Sequence, residues 1–190
     1  MKLIAMFTLL VFAFSCTKEN VQPNTANSTN QVNPTKGFAS KQNKNDFFFF
    51  CGELKKVDLL AGQHHVAGEV TMGNNETHIF VRVEMKNGWE MDYSHLFIGD
   101  LADLPTNKKG NPRIGHFPYH MDHSNSNGSD VYVFEIPFDQ RDEDYTVAFH
   151  AEVSNGSQSE TAWADGTSFG WKSWATRTGY TVQECNTQEV

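Results

Sequence analysis

Three histidines crowd into one stretch of the chain, His116, His120 and His123, in the order His-Phe-Pro-Tyr-His-Met-Asp-His, with Asp122 between the last two. Imidazole plus carboxylate is a ligand set for Zn2+ or Ni2+, and a spacing of four then three would gather the rings on a helical turn. Pro118 opposes a regular helix through His116, so three unrelated loop histidines are the plain alternative. The segment that follows, from His123 through Asn125, Asn127 and Gly128 to Asp130, puts oxygen-bearing side chains at alternate positions with a glycine for the turn, as the front of a Ca2+-binding loop does. The leading Asp is missing and Phe134 stands where a bidentate Glu belongs, which leaves an oxygen-rich hairpin loop as the alternative. Asp139, Asp142, Glu143 and Asp144 form a further acidic cluster, most simply a solvated turn.

Aromatic residues offer a different chemistry. Trp89, Trp163, Trp171 and Trp174 accompany Tyr93, Tyr119 and Tyr180, and exposed aromatic faces stack on pyranose rings while Asp, Asn and His side chains orient the hydroxyls. Tryptophans also fill β cores, so two of the four are assigned there. Trp171 and Trp174, in the Gly-rich Gly166-Thr-Ser-Phe-Gly-Trp-Lys-Ser-Trp174, are taken as the exposed pair, with Tyr119 and Asp100 as further ligand-binding candidates. No catalytic residue is singled out: the chain has no G-x-S-x-G, no phosphate-binding glycine loop and no H-E-x-x-H.

The start of the chain supplies the compartment. Lys2 is followed by a predominantly apolar run from Leu3 to Phe14, the n-region and h-region of a secretory signal. About a dozen apolar residues fall short of the roughly 20 that span a bilayer as a helix. Ala13-Phe14-Ser15-Cys16 resembles a bacterial lipobox, with Phe14 a loose fit, and implies cleavage before Cys16 and diacylglycerol plus palmitate on that residue. An ordinary signal peptide with a free thiol is the alternative. Cys51 and Cys185 remain as an even pair, expected to form a disulfide that closes nearly the whole folded region, worth about 4 to 5 kcal/mol in the chain-entropy model. Lys2 is the only charge in the first 15 residues, so cleavage takes the formal charge from −8 to −9. That acidity disfavours nucleic acid as a partner.

Three regions follow: a signal over residues 1–15, a lipidated disordered tether over 16–46, and a folded domain over 47–190. The tether is rich in Asn, Thr, Gln, Ser and Lys and has too little apolar surface to offset its ordering entropy. Residues 18 and 19, Lys-Glu, resemble the charged export signals of some Bacteroidetes lipoproteins. The folded domain has the texture of a β protein. Strands are predicted at 66–72, 78–85, 89–98, 131–137, 145–153, 160–164 and 175–184, from β-branched and aromatic runs separated by Asn, Gly and Asp clusters. Phe47 to Phe50 is read as a strand packed on both faces. The long stretch from Asp100 to Asp130 is expected to be loop and to hold the distinctive chemistry. The fold class is all-β, an antiparallel β-sandwich with long loops, its first and last strands tied by the disulfide.

The blocks DLLAGQ (58–63), AGEVT (67–71), GWEMDYSHLFIGD (88–100), KKGNPRIGHFPY (108–119), FHAEV (149–153), ETAWADG (160–166) and WATRTGYTV (174–182) together resemble a β module of uncharacterised secreted proteins and lipoproteins of bacteria. The resemblance covers the whole folded domain and implies no particular activity. The expected function is an envelope lipoprotein, on the periplasmic or exterior side of the outer membrane, whose β-sandwich binds a glycan or an envelope protein through loops near 100–130 and 163–174. A metal-dependent hydrolase built on the three histidines, with Zn2+ or Ca2+ as cofactor, and a structural or assembly lipoprotein are the alternatives.

Overall fold

The computed structural model of the chain describes residues 38–41, 51–123, 130–138, 144–156, 158–170 and 173–185. Eleven antiparallel strands make up its regular structure: β1 Phe38–Lys41, β2 Lys55–Ala61, β3 His65–Asn74, β4 His78–Met85, β5 Glu90–Gly99, β6 Tyr119–Asp122, β7 Val131–Pro137, β8 Asp144–Asn155, β9 Gln158–Ala164, β10 Thr167–Gly170 and β11 Ser173–Thr181. The only helical pieces among the described residues are two single turns of 3-10 helix, Leu101–Asp103 and Ile114–His116. Lipobox and signal lie outside the described residues, as do Phe47 to Phe50.

The strands form one continuous curled sheet in the shape of a half-barrel. One layer has the order β1-β7-β4-β3-β2; the other is centred on β8, which carries β5 and then β6 on one edge, and β9 and β11 in succession along the other. A three-residue ladder, Leu59, Leu60 and Ala61 of β2 against Ala164, Trp163 and Ala162 of β9, joins the layers along one side. The arrangement is the expected all-β sandwich with its two layers left continuous at one seam.

Period-2 alternation explains the packing. Leu59, Val70, Met72, Ile79, Val81, Leu96, Phe134, Val147 and Phe149 have essentially no exposed surface and face the interior between the layers. Phe134 of β7 meets Phe149 of β8 edge to face, ring centres 6.0 Å apart, across the middle of that core. Such aromatic pairs contribute about 0.5–1.5 kcal/mol beyond the area they bury. The chain passes from one layer to the other at Asn87-Gly88, where both residues have positive φ (57° and 74°) and the Trp89 amide donates to the Lys86 carbonyl at 3.0 Å. Asn-Gly is the dipeptide that adopts this turn at least cost, and it drops Trp89 straight into the core.

Cys51 and Cys185 form the expected disulfide, with Cα atoms 4.4 Å apart, tying the segment before β2 to the segment after β11. Beside it Asn74, buried at the end of β3, satisfies all its polar capacity. Its Oδ1 accepts from the Tyr180 hydroxyl (2.6 Å) and the Gln183 amide (2.8 Å), and its Nδ2 donates to the carbonyls of Asn75 and Gln183. Burial pushes the Tyr180 phenol up to about 12, so it remains a donor to Asn74 throughout the neutral range.

Several features depart from the sequence reading, which assigns no strand to β2 or β10. Residues 38–41, assigned there to the tether, pair with β7 from Phe38 opposite Glu135 to Lys41 opposite Tyr132. Backbone groups alone make a ladder on an open sheet edge, so a polar segment qualifies without an apolar signal. The described part of the long 100–130 stretch, residues 100–123, is also more ordered than a loop. Residues 100–118 fold over the outer face of the β5–β8 layer, burying Leu104 and Phe117 against Phe97 and Ala148 in a second apolar cluster with Trp163 and Ala175. Asn107 organises the tip: its side chain accepts from the amides of Lys109 (2.8 Å) and Asn111 (3.2 Å), with Gly110 at φ 80°.

Candidate ligand site

The outer face of the β5–β8–β9 layer carries a group of polar and aromatic residues that the main core does not use. Register alone builds a row across it: His120 of β6 stands opposite His95 of β5, His95 opposite His150 of β8, and His150 opposite Trp163 of β9. Directly opposed side chains on antiparallel strands lie about 5 Å apart at Cβ, and ring separations follow suit. Ring centres are 6.3 Å apart for His95 and His120, 5.7 Å for His95 and His150, and 5.0 Å for His150 and Trp163, while Tyr93 tilts onto His95 at 4.9 Å. His120 is exposed, His95 half-buried and His150 buried.

Burial dominates the electrostatics of the row. It holds the His150 ring down at about 4 and the His95 ring below its ordinary value, and the neighbouring imidazole works in the same direction in each case, His95 on His150 and His120 on His95. Both effects favour the neutral form of the two rings. The Nδ1 atoms of His95 and His150 are buried and hydrogen-bond to nothing among the described residues. A buried imidazole nitrogen without a partner is uncommon and asks for an explanation.

Beyond Trp163 the row runs into a pocket of about 190 Å³ lined by Leu60, Gln63, Trp163, Trp174 and Thr176. Trp174 is half-buried and stands edge-on to Trp163 at 6.5 Å; Phe169 does the same at 6.3 Å and carries the Arg177 guanidinium over its ring at 5.8 Å. Gln63 enters from the β2–β3 turn, where Gly62 and Gln63 both have positive φ (52° and 73°). A glutamine at positive φ is strained relative to glycine. The turn thereby presents an exposed amide beside two indoles, which gives the pocket an apolar wall and a hydrogen-bonding edge.

The structure distributes the sequence-derived candidates over both faces. His120 and Asp122 lie on the outer face, opposite His95 and Tyr93. His116 is exposed on the second 3-10 turn, its Nε2 2.6 Å from the Arg113 guanidinium. His123 is buried on the inner face, with Nε2 2.7 Å from the Ser94 hydroxyl and its ring 4.3 Å from that of Tyr132. The three do not converge, because β6 is a strand and His123, directly after it, still donates its amide to the Asp92 carbonyl of β5 at 2.9 Å: His120 and His123 therefore have opposite parity, and Pro118 separates them from His116. Among the described residues no group of three or more His, Cys, Asp or Glu side chains is already arranged to hold a metal ion.

Tyr119 faces the interior and packs on the main core, while Asp100 is exposed at the start of the first 3-10 turn, where its carbonyl accepts from the Asp103 amide at 3.0 Å. Neither joins Trp174. Trp171, Ser124 to Ser129 of the oxygen-rich loop, and Asp139, Asp142 and Glu143 of the acidic cluster lie outside the described residues; Asp144 accepts from the Thr181 hydroxyl at 2.6 Å. Sequence reasoning missed His95, His150 and Gln63. The available signal was alternation: His95 and Phe97, like Ala148 and His150, occupy outward positions of strands whose inward positions are apolar.

Ser94 and His123 would be in reach of nucleophile and base chemistry by distance, but Ser94 has no exposed surface and lies under the core, so no substrate reaches it. No helix among the described residues is long and apolar enough to cross a membrane. Comparison with known proteins finds no matching family model, no matching curated protein and no matching solved structure.

Proposed function

We propose that the chain is an exported envelope lipoprotein, anchored through Cys16, whose β domain binds a glycan at the pocket between Trp163 and Trp174. The observation that carries the binding reading is the pocket itself. Trp174 offers part of its indole as a wall, Trp163 fixes that indole edge-on from beneath, and the strained Gln63 holds an amide at the rim. An aromatic wall beside a single orienting amide is the chemistry that stacks a sugar's apolar face and reads its hydroxyls. At about 190 Å³ the pocket is smaller than the several hundred Å³ typical of drug-sized sites, in keeping with one sugar ring or the end of a chain.

Envelope location rests on the signal-like first 15 residues and the lipobox-like sequence before Cys16, and a disulfide-closed domain is in keeping with an oxidising compartment. A glycan array probed with the purified chain, with and without Ca2+, tests the binding. Selective retention on a subset of glycans, reduced at least about tenfold by Trp174→Ala with the fold intact, is the expected result. Signal no higher than background in both conditions removes the glycan reading.

A further inference from the structure

The histidine row has a use independent of the pocket. We propose that His95 and His150, joined by His120, form a binding site for a late first-row divalent cation, Cu2+ ahead of Ni2+ and Zn2+.

Geometry points there first. Two imidazoles on one ion, each with a metal–nitrogen bond of about 2.0–2.1 Å, put their ring centres roughly 5–6 Å apart. His95 and His150 stand at 5.7 Å without any rearrangement, on neighbouring strands of a sheet whose ladder fixes their backbone positions. The unpartnered Nδ1 atoms point the same way. Each is a buried nitrogen that no described group satisfies, and a bound cation would supply the missing partner. Tyr93, tilted against His95 at 4.9 Å, and Trp163, edge-on to His150 at 5.0 Å, pack on the two rings from the flanks and restrict their rotamers.

The third ligand has to move. His120 is opposite His95 in register and its ring centre is 6.3 Å away, but three side chains are not yet disposed around one point. His120 is exposed on a strand that pairs only with β5 among the described residues, so its side chain is the one of the three that can turn toward the ion. Exposed Glu152, two residues along β8 from His150 on the same face, is within the reach of the same patch for a water-mediated contact. Imidazole donors without thiolate, flanked on the same face by the carboxylates of Asp122 and Glu152, favour Cu2+, Ni2+ and Zn2+ over Mg2+ or Ca2+, and the intrinsic order among them puts Cu2+ first.

Calorimetric titration of the purified chain with Cu2+, Ni2+, Zn2+ or Ca2+ alone tests the site. About one equivalent of Cu2+ binds, Ni2+ and Zn2+ bind more weakly, and Ca2+ gives no heat. Cu2+ also quenches part of the tryptophan fluorescence, because Trp163 packs on His150. His95→Gln and His150→Gln abolish both signals, and His120→Ala weakens affinity roughly tenfold or more. Variants of the exposed His64, His65 and His116 leave the titration unchanged, as does Trp174→Ala, which separates this site from the glycan pocket. Absence of saturable binding by the unmodified chain overturns the proposal. So does Cu2+ binding that survives both glutamine variants. Should those two fail to fold by circular dichroism, the exposed His120→Ala decides, and unchanged affinity in that variant overturns the proposal.

Discussion

Ser94 and His123 make a 2.7 Å hydrogen bond inside the core, and burial depresses the His123 pKa to about 4 even though the carboxylates of Asp122 and Asp92 pull it upward. The neutral ring is the folded form. An unfolded chain takes up a proton near the ordinary histidine value of 6.5 while the folded chain does not until about pH 4, so stability present above pH 6.5 is lost as pH falls through that window. The full shift corresponds to about 3 kcal/mol. Urea midpoints measured between about pH 7 and pH 4 should fall steadily, and His123→Gln, less stable at neutral pH, should show a shallower decline. A decline equally steep in the variant would show that His123 does not carry it. The residue scale also explains why spacing misled: four-then-three brings histidines together only on a helix, and residues 119–122 are a strand that turns His120 and His123 to opposite faces.

Turns decide what the elements present. The β2–β3 turn holds Gln63 at φ 73°, a conformation glycine takes at little cost and a glutamine does not. Gln63→Gly should therefore raise stability by up to about 1 kcal/mol while weakening ligand binding, because the rim amide is removed; thermal midpoints and glycan retention measured together check both halves. Loss of stability in that variant would mean the turn is not strained. The 100–118 segment shows the converse. Its composition reads as loop, yet Leu104 and Phe117 nail it to Phe97 and Ala148, and it works as a cover for one sheet face more than as a free binding loop. No local pattern announced this, since two apolar residues so far apart in the chain have no period.

The whole domain is closed by one covalent link and moored, on our reading, by another. The Cys51–Cys185 bridge spans 134 residues, and in the chain-entropy model removing so long a loop constraint costs about 5 kcal/mol. The double variant Cys51→Ala/Cys185→Ala should lose a comparable amount, read by denaturant midpoint, with the Asn74 clamp left to hold the C-terminal segment alone. A much smaller loss would indicate that the clamp, not the bridge, fastens the ends. Cys16→Ser should move the chain from the membrane fraction to the soluble envelope fraction and abolish labelling by palmitate, with the fold unaltered; continued membrane association would remove the lipid anchor from the reading.

Sequence alone determined the fold class, seven of the eleven described strands and the cysteine pairing. Period-2 alternation is local, and with Cys16 read as the lipid acceptor, one pairing remained for the other two cysteines. It determined nothing about which histidines are neighbours. His95, His120 and His150 are separated by tens of residues and become adjacent only through the register of β6, β5 and β8, as Gln63 and Trp174 line one pocket only because β2 pairs with β9 at the seam and β11 follows β9 along the same edge of β8. Register is set by the global burial of apolar faces, where a slip of one residue would turn Leu96, Val147 and Phe149 outward. The site is thus a by-product of how the core closes, which no stretch of the sequence encodes by itself.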